Sequence, residues 1–117
     1  MWIMISGPYR SGAGTHAERA RNLREMNRIA YEILRRGHVP IIGVNMALPV
    51  IGVAGEEAYE DIMTPLSLAL AERCDGALRI GGESRGADQE VEKIRARGGV
   101  MFETIDQAPD ERERTGD

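Results

Sequence analysis

The sequence predicts an α/β domain in which a parallel sheet carries helices on both faces. Three observations predict it. Short apolar runs without polar alternation, such as "WIMIS" at residues 2–6, read as strands buried on both sides. Longer stretches between them place apolar residues at helical spacing. The two kinds of segment alternate, and such alternation builds a parallel sheet through helical crossovers. A chain of 117 residues is long enough for one domain that buries roughly two-thirds of its unfolded surface.

Taken in order, the first strand ends in the glycine-rich turn "GPYRSGAGT", and "THAE" follows as a capping box with Thr15 as N-cap and Glu18 three residues on. A helix then runs to Arg36 with Ala20, Leu23, Ala30 and Leu34 as its apolar stripe, and Gly37 closes it. "HVPIIGV" is the second strand, with Pro40 suited to an edge or a strand start. Residues 45–63 show little periodicity and read as a short helix and a loop over the sheet's end. "TPLSLALAERC" is a helix with Thr64 as N-cap and Pro65 at its first position. "GALRI" is the third strand, Ala87 to Arg97 a helix, and "VMFET" the last strand. The charged stretch "DQAPDERERTGD" has almost nothing apolar to bury and is expected to be disordered. The expected organisation is a domain over 1–105 and a tail over 106–117.

Composition narrows the function. Hydrophobic residues at 42% and charged residues at 29% are ordinary for a soluble globular protein. Fifteen Lys and Arg against 19 Asp and Glu give a net charge of −4, which argues against a surface that coats nucleic acid. No apolar run approaches the roughly 20 residues that span a bilayer, and "MWIMISGPYR" has no basic region ahead of its apolar stretch. The single Cys74 cannot form an internal disulfide, which fits a reducing compartment. Two histidines and one cysteine, far apart, give no metal-site spacing. The expectation is a cytoplasmic protein with no metal, cofactor, membrane or nucleic-acid partner.

Ligands of open parallel sheets sit outside the carboxyl ends of the strands, near the switch in strand order. Two loops there carry unusual chemistry: residues 7–15 after the first strand and 81–86 after the third. "GAGTHA" matches a dinucleotide fingerprint, but it lies five residues past the strand, and Asn45 rather than an acid follows the second strand. The same turn lacks the lysine of a P-loop. Both readings fail.

The stretch "GGESRGADQE" is more telling. Gly81, Gly82 and Gly86 permit close backbone approach to a ligand. Ser84 can cap the helix or donate to an anion, and free N–H groups at the helix start favour negative charge. Glu90, three residues after Ala87 and four before Ile94, falls at the edge of the buried face and points back over the helix start. An inward carboxylate stabilised by the helix dipole is expected to stay ionised at neutral pH, suited to act as nucleophile or cation stabiliser at a sugar C1′. Alternatively, Glu90 only supports the helix start. The opposing loop supplies Ser6, Gly7, Tyr9 and Arg10, with arginine suited to bidentate phosphate recognition.

"SGPYR" after the first strand, "CDG" before the third and "SRGADQE" opening a helix together resemble the nucleoside 2-deoxyribosyltransferase-like superfamily. This group includes deoxyribosyltransferases and 2′-deoxynucleoside 5′-monophosphate N-hydrolases. The resemblance runs from about Trp2 to Phe102. With the alternating elements, it implies a three-layer flavodoxin-like (Rossmann-like) domain with four or five parallel strands. It implies Glu90 as the catalytic glutamate and Asp75 as a second catalytic acid that orients the sugar or assists the leaving base. Ser84, Gly86, Gly7 and Arg10 would hold the phosphate side, with Ser6, Tyr9 and Asn45 completing the substrate-binding set. A nucleoside or nucleotide substrate and a homo-oligomer, dimer or tetramer, are implied as well. The chain departs from the family at Ser67, where many relatives carry an acid, and at Met4, where the hydrolases have a tyrosine. The other class of function open to it is a non-catalytic nucleotide-binding module on the same fold.

Overall fold

The computed structural model describes residues 1–112. Four strands, β1 (Trp2–Ser6), β2 (Val39–Ile41), β3 (Gly76–Arg79) and β4 (Val100–Phe102), form one sheet in the order β2-β1-β3-β4. Every pairing is parallel, with Met4 beside Ile41, Ser6 beside Arg79 and Leu78 beside Phe102. Four helices flank it: α1 (His16–Arg35), α2 (Gly43–Ala54), α3 (Tyr59–Ala71) and α4 (Arg85–Ala96). This is the expected α/β architecture with four strands, consistent with a three-layer flavodoxin-like fold. The strand order turns back between β1 and β3, so their carboxyl ends flank the crevice where such sheets take ligands.

Strand alternation divides the core. Ile3 and Ile5 of β1, with Leu78, pack against Met26, Ile29 and Ile33 of α1. Met4 and Ala77 face the other way, against Ala71 at the end of α3, Cys74 just beyond it, and Val91 and Ile94 of α4. The same period sends Ser6 and Arg79 to the α3–α4 face, one step beyond Met4 and Ala77. A third cluster, Ala47, Ile51 and Tyr59, joins α2 to α3.

Several local expectations are corrected. Residues 43–54 form a full helix, longer than the short helix followed by a loop expected over residues 45–63. Its sequence hides this because no polar face alternates with an apolar one, and Pro49 sits inside it. Thr64 and Pro65 do not start α3 but lie within it, because the helix begins at Tyr59, directly after one 3-10 turn at Glu56–Ala58. The Pro65 ring stands on the exposed side, so its missing N–H interrupts only a solvent-facing part of the ladder. α4 starts at Arg85, with Ser84 as its N-cap accepting from the Ala87 amide at 3.1 Å.

Nor are residues 106–112 a loose tail. Ala108 is fully buried, Arg36 donates to the Ala108 carbonyl at 2.8 Å, and the Glu111 amide donates back to the Arg36 carbonyl at 2.8 Å. His38, also buried, accepts from the Met1 amino group at Nδ1 (3.0 Å) and donates from Nε2 to the Pro109 carbonyl (2.6 Å). The carbonyl can only accept, which fixes these roles. Residues 113–117 of the expected tail lie outside the described residues.

Candidate functional site

A cleft of about 420 Å³ opens at the carboxyl ends of β1 and β3, a size typical of small-molecule sites. The β1–α1 loop lines it with Gly7, Tyr9, Arg10 and Ser11. The start of α4 adds Ser84, Arg85, Gly86 and Glu90, and the third wall is Tyr59, Glu60, Met63, Thr64 and Ser67 of α3.

Glu90 forms the floor. α4 buries Ala87, Val91 and Ile94 against the sheet, so the residue just before Val91 is carried inward. There it meets the Ser6 and Ser67 hydroxyls, and Glu90 Oε2 lies against Gly43, the first residue of α2. A methyl group at Gly43 would overlap Ser67 Oγ and stand 3.2 Å from Glu90 Oε2. Only glycine lets α2 start this close. Ile42 at the N-cap provides no side-chain cap, so the positive end of the α2 dipole lies beside the carboxyl group.

These surroundings overturn the expectation that Glu90 is simply ionised. Burial pushes its pKa up from 4.5 to about 7, and the Ser6 and Ser67 hydroxyls and the Arg79 charge offset only part of that penalty. Near neutral pH the carboxyl group is therefore poised between its two forms. The Ser6 hydroxyl is fully buried and finds no partner at ordinary hydrogen-bond geometry, so its support for Glu90 is that of a nearby dipole rather than a full bond. Ser67 has Met63 Sδ, 3.9 Å away, as its alternative acceptor. That bond is weak, and the Ser67 proton remains available to the carboxylate.

At the mouth, the Arg10 guanidinium stacks 3.4 Å from the centre of the Tyr59 ring and reaches Glu56 at 3.4 Å, while its Nε is buried without a partner. The Glu56 carboxylate is largely exposed, so this ion pair contributes little and yields readily to a bound anion. Burial raises the pKa of Tyr59, and the Arg10 charge counters this in part. Arg85 stands at the first position of α4, where the helix dipole disfavours a cation. An anion at the cleft mouth would offset that. Behind the loop, Arg79 donates to the carbonyls of Ile80 and Gly82 (2.8 Å to Gly82) and to Asp88 Oδ1 at 3.0 Å.

Of the residues expected at the site, Gly7, Tyr9, Arg10, Ser84, Gly86 and Glu90 line the cleft, and Ser6 lies beneath its floor. Two do not join them. Asp75 precedes β3 and stands at the amino end of the sheet, where its Oδ2 accepts from the Trp2 amide at 2.7 Å. The glycine loop that opens the cleft is at the other end of that strand, so Asp75 is too far along the sheet for the catalytic role the resemblance implies. Asn45 lies in the first turn of α2, exposed, with its Nδ2 donating to Asn27 Oδ1 at 2.6 Å. Gly43, Ser67, Tyr59, Arg79 and Arg85 were missed as site residues. Only Ser67 had a sequence marker, as a departure from the family pattern. Among the described residues no group of three or more His, Cys, Asp or Glu side chains could hold a metal ion, and no helix is long and apolar enough to cross a membrane.

Set against models of known protein families, curated proteins and solved structures, the chain matches none of them.

Proposed function

We propose that the protein cleaves or transfers the N-glycosidic bond of a nucleoside or nucleoside 5′-monophosphate, with Glu90 as nucleophile. The observation that carries this reading is a partly buried carboxyl group on the floor of a ligand-sized cleft, between two hydroxyls and an uncapped helix start. A group of that kind is costly to maintain as a helix support, since surface acids complement a dipole equally well. It suits a reaction in which positive charge develops at a sugar carbon, because that charge favours the ionised carboxylate.

In this reading the Glu90 carboxylate bonds to C1′ while the C1′–N bond breaks. The base leaves with the electron pair and takes up a proton from water. Water or a second base then attacks C1′, releasing Glu90. Arg10, Arg85 and the α4 start hold a 5′-phosphate, and binding of that non-reacting group positions C1′. A panel of nucleosides and 5′-monophosphates, followed by chromatography for free base, tests the reading. Free base should appear with the parent chain and not with Glu90→Gln, and Arg10→Ala should weaken only the phosphorylated substrates. Release at the parent rate by Glu90→Gln would refute the nucleophile.

A second reading has its own support. Asp75 lies away from the cleft, and Glu90 is only partly ionised near neutral pH. Both features suit a module that binds nucleotides without cleaving them. Calorimetry showing tight nucleotide binding, with no free base on long incubation, would favour it. We also propose that the chain self-associates.

A further inference from the structure

Arg79 ends β3 beside Ser6, the last residue of β1. Both side chains go to the α3–α4 face, so Arg79 starts level with the floor of the cleft. Each nitrogen of its guanidinium is engaged: Nε donates to Asp88 Oδ1 at 3.0 Å, Nη2 to the Gly82 carbonyl at 2.8 Å and Nη1 to the Ile80 carbonyl. The side chain is 24% exposed, whereas those of Arg28, Arg35 and Arg95, paired along their own helices, are more than half exposed. Arg79 is therefore not another solvated surface pair. It ties the β3–α4 loop to Asp88, in the first turn of α4 and two residues before Glu90.

That loop is interlocked with the one across the cleft. A methyl group on Gly7 would stand 2.8 Å from Ile80 Cγ1. One on Gly81, whose φ of +75° suits glycine, would stand 2.7 Å from Pro8 Cδ. The Ile80 amide also donates to the Ser6 carbonyl at 2.9 Å. Holding Ile80 and Gly82 thus seats Gly7 and Pro8 as well, and with them Tyr9 and Arg10. The Arg10 carbonyl closes its own turn by accepting from the Ala13 amide at 3.0 Å.

Arg79 also brings charge to Glu90. The groups packed on that carboxyl from β1, α2 and α3 are Ser6, Gly43 and Ser67, none of them charged. The Cys74 thiol feels the Glu90 charge, but burial pushes it up to about 11 and it keeps its proton near neutral pH. Among the described residues, the Arg79 guanidinium is what favours ionised Glu90 by charge.

We propose that Arg79 is a positioning residue of the cleft: its fork clamps both loops to the helix that carries Glu90, and its charge bears on the Glu90 carboxyl group. This role rests on the cleavage reading above, in which Glu90 attacks C1′ and Arg10 holds the phosphate. A lysine would keep the charge but could not reach three acceptors in one plane.

Amide hydrogen exchange and carbon NMR of the Glu90 side chain test it without any turnover. A chain that cleaves nothing would refute the nucleophile and leave these measurements to decide the role of Arg79. Arg79→Lys should quicken exchange at the Ala13 amide, which Arg79 does not touch, about tenfold. It should leave exchange at the Ile33 amide inside α1 and the Glu90 titration unchanged. Arg79→Gln should quicken Ala13 as much and also move the Glu90 titration to higher pH, because the charge favouring the ionised form is gone. Asp88→Asn removes a neighbouring negative charge and should move that titration the other way. In the cleavage assay, the pH of half-maximal rate should follow the same order. An Ala13 amide at the parent rate in Arg79→Lys, or one that quickens only as much as Ile33, overturns the clamp. A Glu90 titration unmoved in both Arg79→Gln and Asp88→Asn overturns the electrostatic part.

Discussion

The two ends of the sheet handle their polar groups in opposite ways. At the amino end the chain satisfies itself: Asp75 takes the Trp2 amide, His38 joins Met1 to Pro109, and Arg36 and Arg97 donate to the carbonyls of Ala108 and Cys74. At the carboxyl end a carboxyl group is partly buried at some cost, Ser6 Oγ and Arg10 Nε go without partners, and a cation sits on the wrong end of a helix dipole. The two acids make the contrast plain. Asp75 is exposed and engaged by a backbone amide, a structural role, whereas Glu90 is partly buried among groups that only half accommodate its charge. Closed hydrogen bonding stabilises the amino end. Unmet polar capacity leaves the carboxyl end ready for something the chain does not itself contain.

Replacing Glu90 should have the largest effect, and in two directions. Glu90→Gln should remove catalysis while stabilising the fold. In the unfolded chain Glu90 releases its proton near 4.5, and in the folded protein near 7. The folded state thus holds more protons across that window, so stability falls as pH rises through it, by on the order of 3 kcal/mol. Urea unfolding should find Glu90→Gln more stable than the parent at about pH 8 and nearly equal to it at about pH 4. Equal stability at both would mean that Glu90 is not buried as described.

Gly43→Ala comes next. Its methyl group must displace Ser67 and press on Glu90, which should cost about 1–3 kcal/mol and shift the Glu90 titration seen by carbon NMR. An unshifted titration would detach α2 from the site. His38→Ala tests the closed end. It should cost about 2 kcal/mol through the stranded Pro109 carbonyl, speed hydrogen exchange at the Glu111 amide and leave the Glu90 titration where it was. The smallest effect belongs to Asp75→Asn, which keeps an acceptor for the Trp2 amide and should cost under about 1 kcal/mol. Cleavage should continue at the parent rate. If it falls as far as in Glu90→Gln, the division of labour between the two ends is wrong.

Much of this arrangement was legible in the sequence because it follows from local rules. The burial of β1 on both faces, the Thr15 cap, the Ser84 cap and the inward turn of Glu90 all follow from periodicity and capping. What escaped notice depends on contacts across the chain. α2 was opaque because a helix apolar all round, with a proline inside, has no amphipathic period to detect. Asp75 was misplaced because a motif fixes its neighbours in sequence but not which end of the strand meets the cleft. Gly43 and Ser67 become site residues only when α2 and α3 close over α4. The protonation of Glu90 then follows from that burial, which no window of sequence contains.

Arg79 carries a further consequence. By holding the Ile80 and Gly82 carbonyls and Asp88 with one side chain, it fixes the loop between β3 and α4 before any ligand arrives. Ordering such a segment during binding would cost about 1–2 kcal/mol of backbone entropy per residue. With the loop already set, that loss falls on folding rather than on recognition. Ligand association at this wall of the cleft then waits on diffusion and orientation, not on a loop finding its shape.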